Sequence, residues 1–135
     1  MIEIGRALVQ MRRDTVALRG ITATGGDVTW KLDTEFEATE APLPRSVMSL
    51  RIGPTDTGAG IPFSADEMLD VTDNGHDNAL DLATRIKTAM HWKAWYGPEC
   101  AIHGLTFAGM DSNSAPGARA TVVLRWTGRA SVRPR

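Results

Sequence analysis

The sequence predicts an α+β fold: a single antiparallel sheet with an N-terminal helix and one central helix packed on a face, closed by a long hairpin. Three observations predict it. Val28, Trp30, Leu32, Thr34, Phe36 and Ala38 alternate with Thr29, Lys31, Asp33, Glu35, Glu37 and Thr39. Side chains two apart share a sheet face, so one set belongs to a core and the other to water. Ala79, Leu82, Ala83, Ile86 and Met90 recur at helical spacing and give one apolar stripe. Cys100–Ala108 and Ala118–Ala130 are amphipathic segments joined by the polar stretch 109–117, the pattern of a hairpin arm. With 135 residues, 42% apolar and 23% charged, the chain is long enough to bury one core, and a single domain spanning 1–135 is expected.

Each element has its own local reason. Ile4, Leu8, Met11 and Leu18 sit near helical spacing within residues 2–20, and Gly20 supplies a stop. Thr24–Asp27 reads as a turn. After the first strand, Pro42 and Pro44 cannot donate ladder hydrogen bonds and break the chain. Arg45–Ile52 is a second strand with Met48, Leu50 and Ile52 on one face. Gly53–Pro62 is a loop, and Phe63–Val71 returns as a third strand, with Asp66 and Glu67 leaving its start open. Asn74 is placed to cap a helix over residues 75–92, and Asp77 lies near its positive end. Trp92, Trp95 and Tyr96 cluster just past it. In the last strand Ala120, Val122, Leu124 and Trp126 face inward, while Thr121, Arg125 and Thr127 lie opposite; Val132–Arg135 is a tail. Trp30, Leu32, Phe36, Leu124 and Trp126 are the expected core.

No constellation supports catalysis or a cofactor. A phosphate-binding loop needs a lysine and a hydroxyl residue after its second glycine; Gly53 and Gly58 have the spacing, but Ala59-Gly60 follows. His76, His91 and His103 show no HxxxH or HExxH spacing. Cys100 and His103 are three apart on a strand, so they point to opposite faces. No GxSxG elbow is present, and Asp33, Glu35 and Glu37 lie on the wet face of a strand. Cys100 is the sole cysteine; it reads as a small buried apolar residue in a reducing compartment. Asp70, Thr72, Asn74, Gly75, Asn78 and Asp81 match calcium-loop positions, and the stretch resembles one dockerin repeat. It departs at Thr72, at Asp77 and in lacking a second repeat, and a capped helix start explains the same residues. No metal is expected. The first residues lack the layout of a signal peptide, and no apolar run is long enough to cross a bilayer.

Charge is uneven along the chain. Residues 1–26 sum to +2, residues 27–81 to −9 and residues 82–135 to +6, for a net charge of −1. Two oppositely charged halves could fold onto each other or face water; equally, a subunit with sides of opposite sign favours head-to-tail association. Arg119, Arg125, Arg129, Arg133 and Arg135 could meet phosphates, but the acidic middle argues against a dedicated nucleic-acid binder.

The order of elements resembles the tail terminator (tail completion) proteins of long-tailed bacteriophages and gene-transfer particles. The residues that carry the resemblance are Pro42-Leu43-Pro44 leading into Val47–Ile52, Met68–Asp73, Asn78–Met90 and the final strand Ala118–Gly128. It covers nearly the whole chain. It implies a structural protein of the virion, without enzymatic activity, forming a ring, usually a hexamer, at the head-proximal end of the tail tube. Its partners are then further copies of itself, the tail tube protein and the head-completion or connector protein, with DNA only passing through the channel and no membrane. The protein is then made in the host cytoplasm and resides in the tail-neck region. On this reading the interaction residues are Asp111, Ser112, Asn113 and Ser114 of the arm, Thr55, Asp56 and Thr57 of the 53–62 loop, and Arg125 and Arg129. Another neck or sheath-terminator protein is the nearest alternative, and a dockerin-like calcium module is the alternative of a different class.

Overall fold

A computed structural model describes residues 2–18, 28–34, 42–53, 60–71, 76–113 and 120–132. Helix α1 (Ile2–Asp14) buries Ile4, Ala7, Leu8 and Met11 along one stripe, with Glu3 in its first turn and Arg12 and Arg13 in its last. Those charges complement the helix dipole. The α-helix ends sooner than the expected 2–20: the Thr15 hydroxyl donates to the Met11 carbonyl at 2.6 Å, and a short 3₁₀ turn, Val16–Leu18, follows. Helix α2 (His76–Met90) buries Ala79, Leu82, Ala83, Ile86 and Met90, the stripe its spacing predicts.

Six strands form one sheet: β1 (Thr29–Leu32), β2 (Arg45–Ile52), β3 (Ile61–Val71), β4 (Trp95–Tyr96), β5 (Cys100–Asn113) and β6 (Ala120–Val132). Their spatial order is β1-β2-β3-β6-β5-β4, and the sheet curls as a half-barrel. The α+β class holds, but the expected purely antiparallel sheet does not. β1 runs parallel to β2, with Thr29 opposite Arg45 and Leu32 opposite Met48. Residues 33–44 are the reason: a connection of about a dozen residues can bring the chain back to the same end, which a tight turn cannot. Of the strand expected over residues 28–39, β1 takes Thr29–Leu32 and Asp33 and Thr34 form a turn, while residues 35–39 lie outside the described residues. Phe36, expected in the core, lies outside the described residues.

Both helices pack on one face of the sheet. Phe63, Ala65, Leu69 and Val71 of β3 and Val122, Leu124, Trp126 and Ala130 of β6 alternate onto that face and are buried. Trp30 and Leu32 join them from β1, as expected. Gly5 lets α1 approach β1 closely, since a Cβ there would sit 2.7 Å from the Leu32 Cδ2.

Glu67 shares the inward parity of β3 and is fully buried. Its carboxylate accepts from Arg12 Nε at 3.0 Å and Nη2 at 3.1 Å, from Ser46 Oγ at 2.8 Å and from Trp126 Nε1 at 3.1 Å. Arg12, also buried, donates from Nη1 to the Leu8 carbonyl at 3.0 Å and lies over the Trp126 ring at 5.4 Å. One carboxylate thus ties α1, β2, β3 and β6 together with its oxygens satisfied, the condition for tolerating buried charge.

Candidate interaction surface

Alternation that sends one set of strand residues to the core sends the other set outward. On β2, β3, β6 and β5 the outward row reads Arg51, Asp66, Arg125 and Asp111. Arg51 pairs with Asp66, its Nη1 2.9 Å from Oδ2, which raises the arginine pKa, first through the hydrogen bond and then through the nearby charge. Asp66 and Arg125 are register partners, and Arg125 pairs with the Asp111 carboxylate. The Arg125 guanidinium lies across Gly109, where a Cβ would meet Nη2 at 2.7 Å. Beside this row, Met68 is 44% exposed.

The structure brings two of the expected interaction residues, Asp111 and Arg125, into contact. Asp111, Ser112 and Asn113 are strand, paired with Val123, Val122 and Thr121. The arm was expected to be loop from residue 109. Its flanking polar residues have ladder partners on β6, so β5 runs on through them to Asn113. Arg129 is exposed four residues from Arg125, opposite His103. Thr55, Asp56, Thr57 and Ser114 lie outside the described residues.

At the other end of the outward face, Arg45 Nε donates to Asp70 Oδ2 at 3.0 Å, and Thr121 Oγ1 donates to Asp70 Oδ1 at 2.9 Å. Asp81 accepts from Arg85 at 2.9 Å. The carboxylates that would open and close a calcium loop over 70–81 therefore each face an arginine, while Thr72, Asn74 and Gly75 lie outside the described residues. Among the described residues no cluster of three His, Cys, Asp or Glu side chains could hold a metal, and no helix is long and apolar enough to cross a membrane.

A groove of about 430 Å³ runs between α1 and the β4–β5 turn, lined by Glu3, Ala7, Trp95, Glu99 and Cys100 among others. Burial, then the charge of Glu3, pushes the Cys100 thiol up to about 11. It stays protonated at neutral pH and is no nucleophile there.

Reading the sequence did not foresee how exposed the aromatic cluster past α2 is. Trp92 is 68% exposed and Tyr96 75% exposed, on the side of the sheet that ends in β4. The signal was the cluster itself, three large aromatics after a helix stripe that was already complete at Met90.

No family model matches the chain, and no curated protein matches it. Among solved structures, one match is a chain of the virion of a native gene transfer agent particle. The two share a fold. The superposition has a TM-score of 0.62 at 19% identity and covers 93% of this chain and 92% of the other.

Proposed function

We propose that the protein is a structural protein of a virion, a tail terminator that forms a ring at the head-proximal end of the tail tube and joins it to the head connector. The observation that carries this reading is the likeness to the gene transfer agent virion chain, which extends over nearly the full length of both chains. The described outward face offers paired charge and the exposed Met68, the makings of a contact surface. The ring, hexameric by family resemblance, engages tail tube protein on one side and a head-completion protein on the other, with DNA passing through. A neck or sheath-terminator protein is the nearest second reading, since the same likeness supports it.

The test is assembly. Purified protein is expected to cap isolated tail tubes at one end under negative-stain microscopy. Light scattering across salt concentration should show self-association that weakens as charge is screened. A stable monomer that also leaves the tubes uncapped would refute the reading.

A further inference from the structure

A strand at the rim of a sheet presents N–H and C=O groups that another chain can bond unless something covers them. The rim of β1 is covered. Thr29 and Asp33 aim their amides at β2, donating to the Pro44 and Met48 carbonyls at 2.9 Å each, so by alternation Trp30 points away, and its carbonyl accepts from Arg13 Nη2 at 2.7 Å. On the opposite rim, β4 covers Ala101 and Ile102 of β5. Farther along, the end of α2 takes over: Trp92 N–H donates to the Leu105 carbonyl at 2.7 Å, and Phe107 N–H donates to His91 Nδ1 at 3.1 Å. Past the irregularity between Phe107 and Gly109 this cover stops. Gly109–Asn113 pair with β6 on one side, and on the other no described residue bonds their backbone. The segment stands in water, with Met110 41% exposed and Ala108, Asp111 and Ser112 exposed.

The side chains on this edge say what adds to it. Met110, opposite Leu124, lies on the helix-bearing face, while Gly109 and Asp111 lie on the outward face with Arg125 and Val123. The Arg125 guanidinium crosses Gly109 to reach the Asp111 carboxylate. An antiparallel copy of the same strand, set about a two-fold axis at Met110, brings that exposed methionine against its own counterpart. It also places Asp111 of each copy opposite Gly109 of the other, on one face. What lies over Gly109 is Arg125, so each guanidinium then meets two carboxylates, one from each chain. An axis at Asp111 would instead set two carboxylates directly opposite each other, which is unfavourable.

We infer that the open edge of β5 at Gly109–Ser112 takes the same edge of a second copy as an added strand, with Met110 at the axis. Main-chain hydrogen bonds supply the attraction, and the crossed Arg125 and Asp111 contacts fix the register. A two-fold contact uses one patch twice and closes with two copies. It is therefore separate from the head-to-tail contacts of a ring and goes beyond the ring reading.

The test uses the full chain, read by sedimentation velocity over a concentration series, by amide hydrogen exchange and by melting temperature in dilute solution. The wild type is expected to pass from monomer to dimer as concentration rises, with the open-side amides of residues 109–112 exchanging more slowly in the dimer. Met110→Lys sets two like charges opposite each other at the axis and is expected to weaken the dimer at least about tenfold, with the dilute melting temperature unchanged. Asp111→Lys and Arg125→Glu each put like charges across the contact and should pair poorly alone. An equimolar mixture of those two chains should pair again, because each of its two crossed contacts then joins opposite signs; a role confined to the monomer predicts no such rescue. If Met110→Lys does not fold, the mixture decides. A wild type that stays monomeric through the series, or a mixture no stronger than its components, overturns the inference. Tube capping is scored on the same wild-type preparation: capping without pairing at this edge overturns this inference alone, and pairing without capping upholds it and counts against the ring.

Discussion

Replacing Glu67 by Ala is the sharpest test of how this fold is held. The change removes an acceptor of four hydrogen bonds and leaves the buried Arg12 guanidinium without its counter-charge. Breaking a buried pair from one side costs about 3–5 kcal/mol. For 135 residues, an unfolding entropy of about 2.1 cal/mol/K per residue gives about 0.28 kcal/mol/K, so the melting temperature should fall by about 11–18 °C. The second arm of the test is the double variant Arg12→Met/Glu67→Met, which fills similar volume without charge. It should recover much of the loss, because both ions leave together. Recovery should be incomplete, since Ser46 Oγ and Trp126 Nε1 then lack their acceptor, at about 1–3 kcal/mol for each buried orphan. Thermal and urea unfolding with a fluorescence readout measure both variants. A loss under about 1 kcal/mol in Glu67→Ala, or a double variant as unstable as the single, would show that the ion pair does not organise the core.

Two further predictions concern the surface and the thiol. A double-mutant cycle on Arg125 and Asp111 should give a coupling below about 1 kcal/mol that shrinks with salt, because the pair is solvent-exposed; a larger, salt-insensitive coupling would mean that the pair is desolvated. Cys100 should react slowly with a thiol reagent at pH 8, with labelling rising toward pH 11. The folded pKa lies above the unfolded value of about 8.5, so the unfolded chain gives up this proton first as pH rises. The stability contribution is therefore complete below about pH 8.5 and is lost as pH rises through about 11; fast labelling of folded protein at pH 8 would contradict the burial of the thiol.

Much of this architecture is legible in the sequence because strand alternation and helix stripes are local signals. The apolar positions of α2, and Val122, Leu124 and Trp126 of β6, lie where their spacing places them. What the sequence hides is non-local. Nothing in Arg45–Ile52 says that its neighbour on one side is parallel, because that depends on where residues 33–44 deliver the chain. Glu67 was half visible: it shares parity with Phe63, Ala65, Leu69 and Val71, so its face was readable. Its tolerance there was not, because it depends on Arg12, 55 residues away. The arm residues Asp111–Asn113 read as loop by their polarity. They are strand because their partners are Val123, Val122 and Thr121, and polarity on an outward face is no bar to pairing.

The same pairing changes what the uneven charge of the sequence means. Arg51, Asp66, Arg125 and Asp111 draw on the acidic middle and the basic end, yet they stand side by side on four adjacent strands and sum to zero. A face neutralised within itself has a weak field beyond a Debye length and steers nothing. Part of the asymmetry therefore is the two halves folding onto each other, as the simpler reading of the charge had it. The remaining charge lies outside this row, with acids at Asp27, Asp33, Asp56 and Asp73 and bases at Lys87, Lys93 and Arg129 among others. Any long-range attraction between copies then draws on charge outside this row, while the central face is left to short-range contact through Met68 and its neighbours. On this division, salt should slow the meeting of subunits far more than it loosens whatever binds the central face.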